Sequence, residues 1–216
     1  MNLRDRFAVS LNNRASEPAL EWQGSLYTFG DIDARSNRMA GALAARGLAP
    51  GDRLCVYLVN CIELIDLYLA CVKLGAIFVP INILYREREL NHILTDAEPK
   101  LYITGAELPA LNAEAAGQPS SLPEAPLTDK SPAALVYTSG TTGTSKGAII
   151  THGNLGYNGS TLVDLWRITS SDRFLLVLPL FHVHALGNAP VPACVRVRQD
   201  VRSVPREGPR DQDRRS

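Results

Sequence analysis

Tyr137-Thr138-Ser139-Gly140-Thr141-Thr142-Gly143-Thr144-Ser145-Lys146-Gly147 is the stretch that decides the fold. Two short apolar runs flank it, residues 133–137 before and residues 148–150 after, and each run is typical of a buried strand. The sequence therefore predicts a strand, a glycine-rich loop and a second strand in succession.

The composition of this loop favours an anion as its ligand. Three glycines, at positions 140, 143 and 147, permit backbone conformations with positive φ and a close approach to a ligand. Successive amide N–H groups in such a loop can converge on an anion, and the hydroxyl groups of four Thr and two Ser add further donors. Lys146 adds a mobile positive charge. We therefore expect the loop to bind a triphosphate.

The loop does not fit the Walker A motif, in which a glycine precedes the lysine, a hydroxyl residue follows it and a helix comes next. Here Ser145 occupies the position of that glycine, and Gly147 replaces the hydroxyl residue that would hold magnesium. The residues after Gly147 are apolar and β-branched, which favours a strand over a helix. A flexible polar linker is the alternative interpretation of the same stretch.

Composition and charge narrow the class of protein. The 22 basic and 22 acidic side chains balance, so the total charge gives no indication of nucleic-acid binding. The four cysteines show no zinc spacing, and free cysteines favour a reducing compartment. Polar residues and Pro80 interrupt the most apolar stretch, residues 67–84, so we expect no transmembrane segment. These features predict a cytoplasmic protein and leave its oligomeric state open.

Strand and helix patterns alternate along the chain, which predicts an α/β fold with a mostly parallel sheet and flanking helices. Residues 105–131, rich in Pro, are expected to form a surface connection without regular structure. Asn60 is expected to cap a helix that ends at Gly75. Trp22, Tyr137 and Trp166 are expected to be core aromatics. The expected helices lie at residues 2–13, 29–46, 61–74, 86–96 and from a cap at 151 or 154 to about 166, and the expected strands at 19–22, 26–28, 53–59, 76–80, 100–104, 133–137, 148–150 and 174–178.

The loop resembles the phosphate-loop signature of the adenylate-forming enzymes, the ANL superfamily of acyl-CoA synthetases, peptide-synthetase adenylation domains and luciferases. Residues 75–82, 89–90 and 95–100 are similar to the early sheet region of acyl-CoA synthetases. Residues 161–167 resemble the helix after the loop in malonyl-CoA-synthetase-like members. Residues 179–186 are similar to the next family motif, in which an aromatic residue or a histidine lines the acyl pocket.

The resemblance implies a two-step acid–thiol ligase reaction. A small carboxylic acid, with malonate-like acids or short fatty acids foremost, attacks ATP to give an acyl-adenylate and pyrophosphate, and CoA then displaces AMP. ATP, Mg²⁺ and the co-substrate CoA are the implied small molecules. The implied phosphate-binding residues are Thr138, Ser139, Gly140, Thr141, Thr142, Gly143, Thr144 and Lys146.

His182 is the implied catalytic residue, close to the substrate carboxylate and the α-phosphate. It shares one face of an extended segment with His184, but the pair lacks a third ligand at a suggestive spacing, so we expect no metal site. Two structural histidines at a strand end are the alternative. For Lys146, the alternative is a surface anchor.

The resemblance covers residues 1–188, which we expect to form an incomplete N-terminal AMP-binding domain. Residues 189–216, with seven Arg and four Pro, are expected to form an aberrant or disordered tail. The family's magnesium-binding Thr-Glu motif, ribose-binding Asp, hinge and C-terminal domain cannot be placed on this sequence. We therefore expect an incomplete or inactive ligase, with a non-catalytic nucleotide-binding fragment or an amino-acid adenylation domain as alternatives.

Overall fold

The computed structural model describes residues 2–121, 126–138, 145–182, 185 and 196–199. Its elements confirm the expected alternation of helices and strands. The helices are α1 Leu3–Asn13, α2 Phe29–Ala45, α3 Ile62–Leu74, α4 Glu87–Ala97, α5 Leu108–Ala116 and α6 His152–Trp166. The strands are β1 Pro18–Trp22, β2 Ser25–Thr28, β3 Arg53–Tyr57, β4 Ile77–Pro80, β5 Leu101–Thr104, β6 Pro132–Thr138, β7 Lys146–Thr151, β8 Arg173–Leu175 and β9 Arg196–Gln199.

A five-stranded sheet in the order β5-β3-β4-β6-β7 forms the centre of the fold. The first four of these strands are parallel, and β7 pairs antiparallel with β6. The sheet is therefore mostly parallel, as the sequence predicts. Its parallel strands all end at one edge, the carboxyl edge, which is where open α/β sheets place their ligands.

Helices cover both faces of this sheet. Successive strand residues point to opposite sides, so each face presents apolar side chains that need a covering layer. Phe78 of β4 faces the larger core, to which α1, α2 and α3 contribute. Val79 faces the smaller core under α4, with Ile93 and Ala97 of that helix. Two helix ends are as the sequence predicts: Thr28 and Asp31 form a capping box at the start of α2, and Gly75, with a φ of 75°, ends α3.

A second sheet has the order β2-β1-β9-β8, with β1 and β2 joined as the expected hairpin. Strand β9 runs parallel to both β1 and β8. Of residues 189–216, expected to be an aberrant or disordered tail, the structure describes only this strand. Those four residues are therefore in a sheet, where the sequence pattern predicts no strand.

Three local expectations are wrong. The connection at 105–131 contains α5, whose Leu111 and Ala115 are buried and which packs against α2. Asn60 does not cap α3, because the N-cap residue is Cys61 and no side chain bonds the helix end. Trp166 is 51% exposed, whereas Trp22 and Tyr137 are buried as expected.

Large apolar side chains are exposed mainly in the second half of the described chain. On β7, Ile149 is 65% exposed. Six more lie on α6, on β8 and just beyond it: Tyr157, Leu165, Trp166, Leu175, Val177 and Leu178. Among the described residues, no helix is both long and apolar enough to cross a membrane.

Charged contacts join α2 to α3 inside the helical layer. The Arg35 guanidinium binds both Asp66 carboxylate oxygens, at 2.6 and 3.2 Å, and the Asp66 side chain is only 2% exposed. Burial raises the pKa of Asp66 to about 6, against the opposing effect of Arg35. Nearby, the Lys73 ammonium donates to Asp33, Ser36 and Asn37 at 2.6 to 2.7 Å. These contacts fix the two helices against each other at neutral pH.

Replacing Arg35 with Met should lower the free energy of unfolding by about 3–5 kcal/mol at pH 8, because the ionised Asp66 is left buried without its partner. Chemical denaturation measures this loss. Arg46→Met is the matched control, since it breaks an exposed pair between Arg46 and Glu114. A loss for Arg35→Met no larger than that of the control would contradict the assignment of a buried ion pair.

His152 begins α6 and is completely buried. Among the described residues, neither of its ring nitrogens has a hydrogen-bond partner. Burial lowers the pKa of His152, and nearby Arg4 lowers it further, whereas Asp5 acts in the opposite direction. The folded protein therefore holds this ring neutral where an exposed histidine would accept a proton.

Acid should therefore destabilise the fold through His152. At His152 the unfolded chain binds a proton near pH 6.5 and the folded chain only at lower pH, so this residue's contribution to the free energy of unfolding falls as the pH drops below about 6.5. Asp66, whose pKa is raised, acts in the opposite direction in the same range. His152→Leu should flatten this slope in denaturation curves recorded between pH 5 and pH 8. Leu155→Ala, which truncates a buried apolar side chain on the same helix, should lower the free energy of unfolding without changing this slope. Equal slopes for the wild-type chain and His152→Leu would exclude this role.

Candidate nucleotide-binding site

The predicted strand-loop-strand unit is present as the β6–β7 hairpin. Its register pairs Thr138, the last residue of β6, with Lys146, the first residue of β7. Because β6 runs parallel to β4, Thr138 lies at the carboxyl edge of the sheet. Both flanking segments are strands, so the local context is that of the predicted phosphate loop and not of a Walker A loop.

Thr138 and Lys146 are both exposed, so their side chains are accessible at this edge. Within the described part of the chain, no carboxylate lies within ion-pair distance of the Lys146 ammonium. Ser139, Gly140, Thr141, Thr142, Gly143 and Thr144 lie outside the described residues. Their assignment to phosphate binding therefore stays a prediction from the sequence.

Helix α4 contacts both ends of the hairpin loop. His92 Nε2 lies 2.8 Å from the backbone oxygen of Ser145, the residue that precedes β7. Tyr137, next to the end of β6, donates its hydroxyl proton to the Asp96 carboxylate at 2.6 Å. Burial raises the pKa of Tyr137, and its bond to Asp96 raises it further, so this hydroxyl stays protonated.

Close packing also fixes the start of β7. A Cβ atom added to Gly147 would lie 2.9 Å from the Leu135 side chain and 3.2 Å from the Tyr137 ring. A Cβ contact of 2.9 Å is shorter than those in real structures, so a larger residue at this position would force the Leu135 side chain to move. The glycine of the motif therefore has a packing role.

His182, the implied catalytic residue, lies in a turn that begins at Pro179. Its backbone N–H donates to Pro179 O at 3.0 Å, and its side chain is exposed. Asn60 holds this turn: its side-chain oxygen accepts from Leu180 N at 2.8 Å, and its amide donates to Leu178 O at 3.4 Å. His184 lies outside the described residues.

The candidate site has two parts, the ends of the β6–β7 loop and the turn that contains His182, and both lie at one edge of the sheet. Asn60 follows β3 and Thr138 ends β6, and these parallel strands are separated only by β4. Two interstrand spacings amount to roughly 10 Å. The described contacts bring Thr138 and Lys146 together directly, whereas His182 is placed at the same edge through Asn60.

Sequence reasoning missed the residues that support the site. Asn60 is predicted as a helix cap but binds the turn before His182, and His92 has no predicted role. Asp96 lies in a stretch already similar to acyl-CoA synthetases, which is the one signal that could have drawn attention to α4. These contacts join residues that are 41 to 120 positions apart in the chain, so no local sequence pattern indicates them.

Comparisons with known proteins show the family of this chain. A model of the AMP-binding enzyme family matches residues 7–200. Feruloyl-CoA synthase from Amycolatopsis sp is 34% identical over 191 residues, which cover 82% of this chain and 39% of that protein. Long-chain-fatty-acid–CoA ligase FadD13 from Mycobacterium tuberculosis is 34% identical over 211 residues, covering 85% and 41%. The chain thus spans about two fifths of the length of these curated relatives.

Solved structures show the same fold. ATP-bound MatB from Rhodopseudomonas palustris is similar with a TM-score of 0.81 and 33% identity, over 93% of this chain and 45% of that chain. The N-terminal domain of FACL13 from Mycobacterium tuberculosis is similar with a TM-score of 0.82 and 26% identity, over 92% and 57%. These matches confirm the resemblance to acyl-CoA synthetases and the predicted α/β fold. The chain belongs to the AMP-binding enzyme family.

Proposed function

We propose that this chain supplies the polyphosphate-binding part of an acid–thiol ligase that activates a small carboxylic acid with ATP and transfers it to CoA. The observation that carries the proposal is the register of the β6–β7 hairpin, which pairs Thr138 with Lys146 at the carboxyl edge of the parallel sheet. The loop between them has the composition of an anion site. The family, and the CoA ligases among its relatives, support the reaction class.

The chemistry assigned to the chain's own residues is positioning and charge compensation. Lys146 offers an ammonium at the loop end, and the Thr138 hydroxyl offers a donor on the opposite strand. Held against the β- and γ-phosphates, these groups would keep the leaving pyrophosphate aligned and stabilise its charge. His182 is assigned to the neighbourhood of the reacting carboxylate, since Asn60 holds its turn at the same edge.

Magnesium accompanies ATP in the implied reaction, and it prefers oxygen ligands such as carboxylates. Across the described ranges, no group of three His, Cys, Asp or Glu side chains is arranged to hold a metal ion. Thr138 alone does not amount to a magnesium site. We therefore assign the metal no residue of this chain and no step of the reaction.

The acid is proposed as a small carboxylate, with malonate-like acids and short fatty acids first, because of the likeness of residues 161–167 and the similarity to MatB. Acid-dependent ATP–pyrophosphate exchange across a panel of malonate, short fatty acids, ferulate and amino acids, measured on a version extended to the full length of its relatives, tests it. Exchange with malonate or a short fatty acid is the expected result. Exchange with amino acids alone would favour an adenylation domain, and ATP binding without any exchange would favour a non-catalytic nucleotide-binding role.

Lys146→Met should weaken ATP binding by about 10- to 100-fold, because a charge-assisted contact to phosphate contributes about 1.5–3 kcal/mol. Isothermal titration with ATP measures the change. Lys130→Met is the matched control, since Lys130 is exposed in the turn before β6, at the end of that strand remote from Thr138. Equal ATP affinities for both variants would refute the assignment of Lys146.

A further inference from the structure

One face of α4 reaches both ends of the phosphate loop. His92 and Asp96 are four positions apart, so they lie one turn apart on the same side of the helix. His92 contacts Ser145 on the β7 side of the loop, and Asp96 contacts Tyr137 on the β6 side. The two contacts therefore bracket the segment between Thr138 and Ser145.

In both contacts, the chemistry of the partner fixes which atom donates the proton. A backbone carbonyl oxygen can only accept, so His92 Nε2 must carry the proton that it donates to Ser145. The Tyr137 hydroxyl donates to a carboxylate, which makes a short, charge-assisted hydrogen bond. The His92 and Tyr137 rings also meet edge to face, with centroids 6.2 Å apart and an interplanar angle of 84°.

Helix α4 can support these contacts because two of its side chains, Ile93 and Ala97, are buried against the sheet. Ile93 is 0% exposed and Ala97 is 3% exposed. Both pack in the smaller core together with Tyr137. A displacement of the loop ends would therefore cost hydrogen bonds and core packing together.

We propose that His92 and Asp96 are positioning residues for the polyphosphate: they hold the two strand ends of the loop in the arrangement that binds the anion. This inference rests on the proposed function. Its physical basis is preorganisation. A loop whose ends are already fixed loses less conformational entropy when a ligand binds. Neither residue needs to touch the nucleotide.

The test compares ATP affinity with stability in matched variants. His92→Ala and Tyr137→Phe should each weaken ATP binding about tenfold in isothermal titration, because each removes one of the two anchors. His92→Gln should restore ATP affinity to within about threefold of wild type, since its amide can donate to the same carbonyl. Thermal unfolding without ATP reports the cost of each variant to the fold.

Tyr57→Phe is the control for packing. Tyr57 packs against the same core, and its hydroxyl bonds to Ile83 O at 2.9 Å and Tyr85 O at 3.1 Å, which lie outside the loop and its two flanking strands. It should lower the melting temperature as Tyr137→Phe does, while ATP affinity stays unchanged.

Equal loss of ATP affinity in Tyr57→Phe and Tyr137→Phe, or no loss in His92→Ala, would overturn the positioning role and leave the proposed function standing. If the wild-type chain shows no ATP affinity, both the proposed function and the positioning role are overturned. This outcome therefore distinguishes a failure of the proposed function from a failure of the positioning role alone.

Discussion

The antiparallel pairing of β7 with β6 is the constraint on which the candidate site depends. A parallel sheet sends every strand towards the same edge, and the chain then leaves that edge through a crossover connection. Here β6 reaches the carboxyl edge and the chain turns straight back as β7. The glycine-rich loop is consequently anchored on two adjacent strands, with a hydroxyl residue at one end and a lysine at the other.

Contacts from distant parts of the chain complete this edge. Helix α4 holds both ends of the loop through His92 and Asp96, and Asn60, after β3, holds the turn that carries His182. Each of these supports acts through a single polar side chain on a packed element. The candidate site therefore combines exposed side chains, Thr138 and Lys146, with polar side chains that hold the nearby backbone in place.

On the face of the sheet opposite α4, charged side chains join the packed helices α2 and α3. Arg35, Asp66, Lys73 and Asp33 carry charge into the space between α2 and α3, where burial would be costly without close partners. His152 is buried as a neutral ring at the point where α6 meets α1. The contacts of Arg35 and Lys73 thus join α2 to α3, whereas His152 has no hydrogen-bond partner among the described residues.

Local patterns in the sequence were sufficient for the α/β class, most of the helix and strand positions, and the strand-loop-strand context of residues 137–147. Caps, terminal glycines and apolar runs act over a few residues, so they can be read directly, as Thr28 and Gly75 show. Only the tertiary structure decided that α5 is a helix, that Asn60 serves a remote turn, that Trp166 stays exposed and that α4 supports the loop. These outcomes depend on contacts between residues far apart in the chain, and a linear pattern does not record which surfaces meet.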